Sequence, residues 1–420
     1  MPSASRMSAF ARVTALAGKR TIHAAFAWLH ANPKKIMDWQ TAVVGIPAPP
    51  FGEQARSGWI EERFHEAGLA DVQTDAVGNV LGFLYPADHD PESTGPIVVL
   101  SAHLDTVFPP GTPIRPSLTQ KDGVDRLEAP GACDNGAGIA GLLALAYALV
   151  HARVDLRVPL LLVGNVGEEG EGDLRGVRHL YASSLAGRIA AHLVLDGAGA
   201  DSAVTQALGS RRFQVTISGP GGHSFTDAGT PNPIAALASA LAALSRTSIP
   251  DEPRTTMNLG TIHGGTSVNS IPENTAATID FRSTSGDELL RLEVALHRAV
   301  EDAVEFANAQ AKASAVRSKL VFTILKIGDR PAAQLPDDSP VLDVLHAVDR
   351  RLDLKTTMRL GSTDANVPLS MNIPALSVGA GGEGGGAHTL SEWYSARDRE
   401  LGLKRALLLT LAILDWAAEL

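Results

Sequence analysis

His103 and Asp105 stand two residues apart, directly after the apolar run IVVLSA at 97–102. In an extended segment such a pair shares one face. That arrangement suits a ligating histidine, because metal-bound imidazoles usually donate their second ring N–H to a nearby carboxylate. Asp134 lies in GACDNGAG, at the start of a helix-forming stretch. It reads either as an N-terminal helix cap or as a carboxylate bridging two metal ions. Glu168 and Glu169 sit side by side in GNVGEEGEGD. Adjacent glutamates at a strand end ordinarily face water. Alternatively, one binds metal while its neighbour, pointing elsewhere, acts as general base. Asp196 closes LVLDG, and His388 occupies the Gly-rich loop GGEGGGAHTLSEW. Imidazole and carboxylate donors suit zinc, with cobalt or manganese as substitutes. Such ions acidify a bound water and polarise a carbonyl, which is the chemistry of amide hydrolysis. Cys133 is a rival nucleophile, although beside a candidate ligand it reads more simply as a small buried apolar residue.

These residues follow the C-terminal ends of predicted strands, the edge at which open α/β sheets bind ligands. Continuous apolar runs at 97–102, 159–163 and 192–195 predict strands buried on both faces. Helices are expected at 22–40, 53–68, 136–150 and 174–185, so strands and helices alternate around a mostly parallel sheet. After Gly209 the pattern changes. Strands are expected at 211–218, 256–263, 274–282 and 319–326, with helices at 233–246 and 286–312. That β-α-β-β-α-β order is ferredoxin-like. From Arg330 onward the α/β character returns, with a strand at 375–378 and a last helix at 397–417. The expected organisation is an α/β catalytic domain over 1–210 and 330–420, with an α+β lid and dimerisation domain inserted at 211–329.

In chain order, HLD, GACDNGAG, GEEGEG, LDG, GGHS and a late Gly-rich AHT resemble the di-zinc metallopeptidase family of peptidase T, carboxypeptidase G, aminoacylase and succinyl-diaminopimelate desuccinylase. The match runs from about Pro47 to the C-terminus. The resemblance implies a zinc-exopeptidase-like fold and two zinc ions held by His103, Asp134, Glu169, Asp196 and His388, with Asp134 bridging. Asp105 would orient His103, and Glu168 would be the base. His223 in GPGGHSF matches a histidine that stabilises the tetrahedral intermediate, often in a neighbouring subunit's site; taken alone it reads equally as a turn residue. Asn269 in HGGTSVNSIP and Arg330 in GDRPAA match positions that grip polar groups or a carboxylate of the substrate, and Gly361 in GSTDAN matches a loop lining the pocket. The family's peptide after the bridging aspartate is usually cis. Two departures stand out. Asn135 takes a place often held by Asp. Asp196 is typical of relatives that cleave at a free N-terminus, such as peptidase T and carnosinase, whereas carboxypeptidase G and the desuccinylases tend to have Glu.

The expected function is therefore hydrolysis of a peptide bond in a small peptide, of aminopeptidase or dipeptidase type. An N-acyl amino acid deacylase or a carboxypeptidase of the same family is the alternative. A catalytically silent binding protein on this fold is the remote one, and an intact Glu168 speaks against it. The 420 residues and 45% hydrophobic content suffice for two domains with large cores. A net charge of −10 with no basic stripe argues against nucleic acid. One cysteine forbids an internal disulfide and fits the cytoplasm. The N-terminus lacks a compact h-region and reads as a soluble extension leading into an amphipathic helix. No stretch is apolar enough to span a membrane. The small apolar residues of 233–246 and the edges of an antiparallel sheet predict a homodimer.

Overall fold

The computed structural model describes residues 8–312 and 319–420, so the first seven residues of the expected N-terminal extension lie outside the described residues. The chain forms two compact units. One comprises the residues up to Ala207 together with Gln334–Leu420, and the other is Leu208–Ala333.

The larger unit is built on a mixed sheet. Ile97–His103 lies between Leu160–Asn165 and Ile189–Leu195 and runs parallel to both. Ala375–Val378 extends the parallel set beside Ile189–Leu195. Antiparallel neighbours continue the sheet outward: Val80–Leu84 and Ala70–Thr74 on one side, Ser202–Ala207 on the other. The parallel strands carry Val, Leu and Ile without polar alternation because helices cover both faces. Gly136–His151 and Arg399–Ala417 pack on one face and Arg175–Ala182 on the other. Gly136–His151 is apolar on every side and buried along nearly its whole length. Its first turn presses against the end of Ile189–Leu195. A side-chain carbon at Gly138 would lie 2.5 Å from the Leu195 carbonyl oxygen, so only glycine permits the approach. The closing helix is pinned by buried Arg405, which donates to both oxygens of Asp349 at 2.7 and 3.1 Å, to Thr356 and to the Ser202 carbonyl. A second, antiparallel sheet contains Glu383–Gly385 and Trp393–Ser395, and His388 sits in the loop between them.

Leu208–Ala333 contains a four-stranded antiparallel sheet in the order Thr255–Gly264, Asn274–Ser283, Gly209–Ser218, Val321–Arg330. Helices Pro233–Leu244 and Gly286–Gln310 pack on one face, closing a core around Phe213, Ile279 and Phe281. This is the ferredoxin-like arrangement.

The expected helix over 22–40 is two helices, Arg20–Ala31 and Pro33–Val44. Pro33 lacks an N–H and biases Asn32 away from helical geometry, so the chain turns there. Strands at 70–84, 117–128 and 202–207 and the helix Pro340–Leu352 add to the expected elements.

Besides His103, a second buried histidine, His192, lies within the sheet. His192 bridges the Tyr181 hydroxyl (3.2 Å) and the Ser101 hydroxyl (2.8 Å), and burial pushes its pKa down to about 3. The unfolded chain therefore binds a proton that the folded one refuses between about pH 6.5 and 3, and stability falls as pH drops through that window. From pH 6.5 to 4 this single group should remove about 3 kcal/mol. Urea unfolding of the wild type and of His192→Gln at the two pH values should show a clearly flatter pH dependence in the variant.

Candidate metal centre

Five segments deliver acidic and imidazole side chains to the C-terminal edge of the parallel strands. One donor atom from each of His103, Asp134 and Glu169 lies within 4.8 Å of the others. Asp134 presents its two oxygens to two different histidines. Oδ1 lies 3.1 Å from His103 Nε2, and Oδ2 lies 3.0 Å from His388 Nε2. His388 Nε2 is also 3.0 Å from Glu169 Oε1, while His103 Nε2 is 3.8 Å from Asp196 Oδ1. Two donor sets result, each with one imidazole, one terminal carboxylate and one oxygen of Asp134. On its other side His103 faces Asp105 through Nδ1, 3.2 Å from the backbone oxygen and 3.6 Å from Oδ1. Asp105 is fully buried and accepts the backbone N–H groups of Glu168 (2.9 Å) and Glu169 (2.8 Å). The Asp134–Asn135 peptide is cis, as the motif implied. The Asn135 side chain accepts from Gly138 N and Gly197 N and donates to the Leu195 carbonyl, joining the Asp134 and Asp196 loops.

The electrostatics suit a cation. Burial alone would lower the His103 pKa, yet its contacts with Asp105, Asp134 and Asp196 carry it well above the ordinary value. Hydrogen bonds to Asp134 and Glu169 push His388 up to about 10. Burial would raise Asp134, but the two histidines hold it well below the usual carboxylate range. In this form protons on the imidazoles balance clustered carboxylates, a balance that metal ions on the same atoms would supply in their place. The donor chemistry fits two zinc-type ions. Burial pushes the Cys133 thiol up to about 12, so it is not a thiolate at neutral pH.

Three residues of this neighbourhood escaped the sequence reading. Glu392 accepts the backbone N–H groups of Gly131 (2.9 Å), Cys133 (2.7 Å) and Asp134 (2.7 Å) and so holds the Asp134 loop. Its one sequence signal is its place four residues after His388. Asp364, within the GSTDAN motif, is fully buried, accepts from Asn165 at 2.7 Å and is pushed up to about 7 by burial. Arg56 is buried near Asp105 and Glu392, with its donors on the Ile46 and Leu104 carbonyls.

Gly361 ends the strand Thr357–Gly361 of the larger unit. His223 and Asn269 come together in the smaller unit, where Gly222–His223 pairs with Ser270–Ile271 and Ser224 N donates to the Asn269 carbonyl at 3.0 Å. Arg330 is buried and pairs with Ser210, at the opposite end of the four-stranded sheet from that ribbon.

Residues 99–412 match the sequence profile of Peptidase family M20/M25/M40. The chain belongs to this family. A probable carboxypeptidase of Aspergillus oryzae is 28% identical over 263 residues, 57% of each chain. The chain thus matches little more than half the length of that relative. Among solved structures, aminopeptidase PepT from Bacillus cereus superposes with a TM-score of 0.68 at 20% identity, over 92% of this chain and 99% of that one. A tripeptidase from Staphylococcus aureus gives 0.67 at 20% identity over 93% and 99%. YXEP of Bacillus subtilis, described as a dinuclear metal-binding peptidase, gives 0.61 at 16% over 92% and 99%. These likenesses establish the M20 fold. Among the described residues no helix is long and apolar enough to cross a membrane.

The hold of Glu392 on the Asp134 loop yields a test. Glu392→Gln keeps the shape but gives up one acceptor oxygen. Affinity for a divalent ion, with zinc as the probe in chelator competition, should fall about 10- to 100-fold, the usual effect of disturbing a group that orients a ligand.

Proposed function

We propose that this chain hydrolyses the amide bond of a small peptide at two zinc ions, with cobalt or manganese as substitutes, and with aminopeptidase or dipeptidase polarity. The observation that carries the reading is Asp134, whose two oxygens face two separate imidazole–carboxylate sets. His103 and Asp196 would hold one ion, His388 and Glu169 the other, and Asp134 both. When bound, the ions supply an acidified water and an electrophile for the scissile carbonyl. Glu168 takes the proton of the attacking water and passes it to the leaving amine. Its place beside Glu169 supports this role. Glu169 is extended (φ −85°, ψ 147°), and consecutive side chains of an extended segment point to opposite sides. Asp105 fixes both backbone N–H groups and the ring of His103.

His223 would stabilise the oxyanion. Its Nδ1 accepts the backbone N–H groups of Phe225 (3.2 Å) and Thr226 (3.3 Å), which leaves the proton on Nε2 as a donor. Asn269 would grip the substrate beside it, Arg330 would bind a substrate carboxylate, and Gly361 would line the pocket. His223 and Arg330 cannot reach one small substrate within a single copy. Ser210 and Ser218 mark the two ends of their strand, about 26 Å apart at the usual rise per residue. Two copies resolve this, and we place 211–329 as the lid and dimerisation domain of a homodimer. Edge strand Thr255–Gly264 exposes Leu259 and Ile262, and helix Pro233–Leu244 exposes Ile234 close by, with Ile234 Cδ1 3.2 Å from the side-chain position of Gly265. Paired edges would bury both. Cytoplasmic placement is supported by the single cysteine.

The fungal relatives described as probable carboxypeptidases favour the other polarity, that of a carboxypeptidase or N-acyl amino acid deacylase. Asp196 favours a free substrate N-terminus. Assays with zinc on dipeptides and tripeptides and their N-acetylated forms decide between them: acetylation should abolish turnover. Activity on N-acetylated amino acids alone would establish the deacylase.

The two glutamates separate by metal content. Glu168→Ala should cut kcat by several orders of magnitude with zinc retained by atomic absorption, whereas Glu169→Ala should lose zinc. Shared sites are tested by mixing inactive His223→Ala and Glu168→Ala chains under conditions of proven subunit exchange. Random pairing makes about half of the dimers mixed, each with one intact site, so activity should recover to roughly a quarter of wild type. Absence of recovery would show that His223 serves its own subunit.

A further inference from the structure

Arg399, the first residue of helix Arg399–Ala417, is buried, yet among the described residues no carboxylate pairs with its guanidinium. Its donors reach neutral groups instead. Nε donates to the Tyr394 hydroxyl at 2.7 Å, and Nη2 donates to Gln40 Oε1. The guanidinium carbon also lies 4.5 Å from the centre of the Tyr394 ring. Gln40 and Tyr394 are themselves buried. A buried cation of this kind carries a large desolvation cost, and an apolar side chain would fill the same space at less. Stability alone does not account for it.

Both neutral partners pass the contact on to the candidate metal centre. Gln40 Nε2 donates to the Ala132 carbonyl at 2.6 Å, two residues before Asp134. The Tyr394 hydroxyl donates to the Gly381 carbonyl at 3.1 Å. Gly381 precedes strand Glu383–Gly385, and Tyr394 lies within strand Trp393–Ser395, the two strands that flank the loop of His388. A side-chain carbon at Gly381 would lie 2.3 Å from the Arg399 carbonyl oxygen, so this ribbon is also seated on the start of the helix. One guanidinium therefore ties the base of the Asp134 loop to the base of the His388 ribbon. The side chains carried by those two loops meet at 3.0 Å, Asp134 Oδ2 against His388 Nε2. Glu392 reaches the Asp134 loop from the end of the His388 loop, whereas Arg399 fixes the strands on which that loop stands.

We propose that Arg399 is a positioning residue for the second donor set, that of His388 and Glu169. Its fork fixes the separation of Asp134 from His388 and so sets the affinity for the ion those two would share. The inference rests on the two-ion reading above. The first set stands apart from this tie. His103 ends strand Ile97–His103 and Asp196 follows strand Ile189–Leu195, and among the described residues neither side chain is bonded to Arg399, Gln40 or Tyr394. Loss of the fork should therefore weaken one ion and largely spare the other. Lysine cannot replace it, because a compact ammonium lacks the planar fork that serves Tyr394 and Gln40 together.

The experiment titrates the metal-free full chain with zinc by calorimetry against a competing chelator. Wild type is compared with Arg399→Lys and Tyr394→Phe, and with His388→Ala and His103→Ala as references. Wild type should take up two ions. Arg399→Lys should resemble His388→Ala, with one ion held within about threefold of its wild-type affinity and the other weakened about 10- to 100-fold. Tyr394→Phe removes a single hydroxyl and should weaken the same ion, and adding it to Arg399→Lys should cost little more, because both act through one contact. A purely structural role would lower the unfolding temperature and weaken both ions alike, or leave both unchanged. Either result, or a curve that matches His103→Ala, would overturn the inference and leave the two-ion reading intact; Tyr394→Phe decides it if Arg399→Lys does not fold. Fewer than two ions on the wild type would overturn that reading and this inference with it.

Discussion

Clustered negative charge is the constraint on which the rest of the larger unit depends. Asp105, Asp134, Glu169, Asp196 and the neighbouring Glu168 would repel one another and lose hydration at the sheet edge without compensation. The fold supplies it in three layers. His103 and His388 meet the carboxylates directly. Backbone N–H groups converge on Asp105 and Glu392, fixing them without adding net charge. Arg56, buried with its donors on backbone carbonyls, places a positive charge behind Asp105 and Glu392. Parallel strands make this possible because their ends lie side by side, so each short loop starts near the same point.

The candidate donors were legible in the sequence because each sits in a short motif: directly after an apolar run for His103 and Asp196, shortly after one for Glu169, before a helix-forming stretch for Asp134 and in a Gly-rich loop for His388. His103 after IVVLSA and Asp196 after HLVL need nothing more than strand recognition. Glu392 and Asp364 were not legible. Both act through backbone or amide groups that are remote in the chain, 261 residues from Gly131 in one case and 199 from Asn165 in the other. Local pattern carries no trace of such pairings. The broken helix at Asn32–Pro33 is the reverse case: its signal was in the sequence, but the apolar periodicity on both sides of Pro33 ran through it.

Several secondary elements with strong periodicity were located within a few residues, including the four strands of the main sheet and both helices of the smaller unit. Short exposed strands such as Ser117–Lys121, with no buried position, offer no period to read. Helix Pro340–Leu352 was not among the expected elements, although its regular apolar face and first-turn proline carry a signal for its start.

The donor set is also ordered in time. Four of its members, at 103, 134, 169 and 196, precede the entire smaller unit in the chain, and His388 follows it. Synthesis proceeds from the N-terminus, and units fold as they emerge. On the proposed roles, a growing chain holds the first donor set while the second lacks its imidazole until the smaller unit has been made. On those roles, the full set of donors would come together only after the smaller unit has been made, near the end of synthesis.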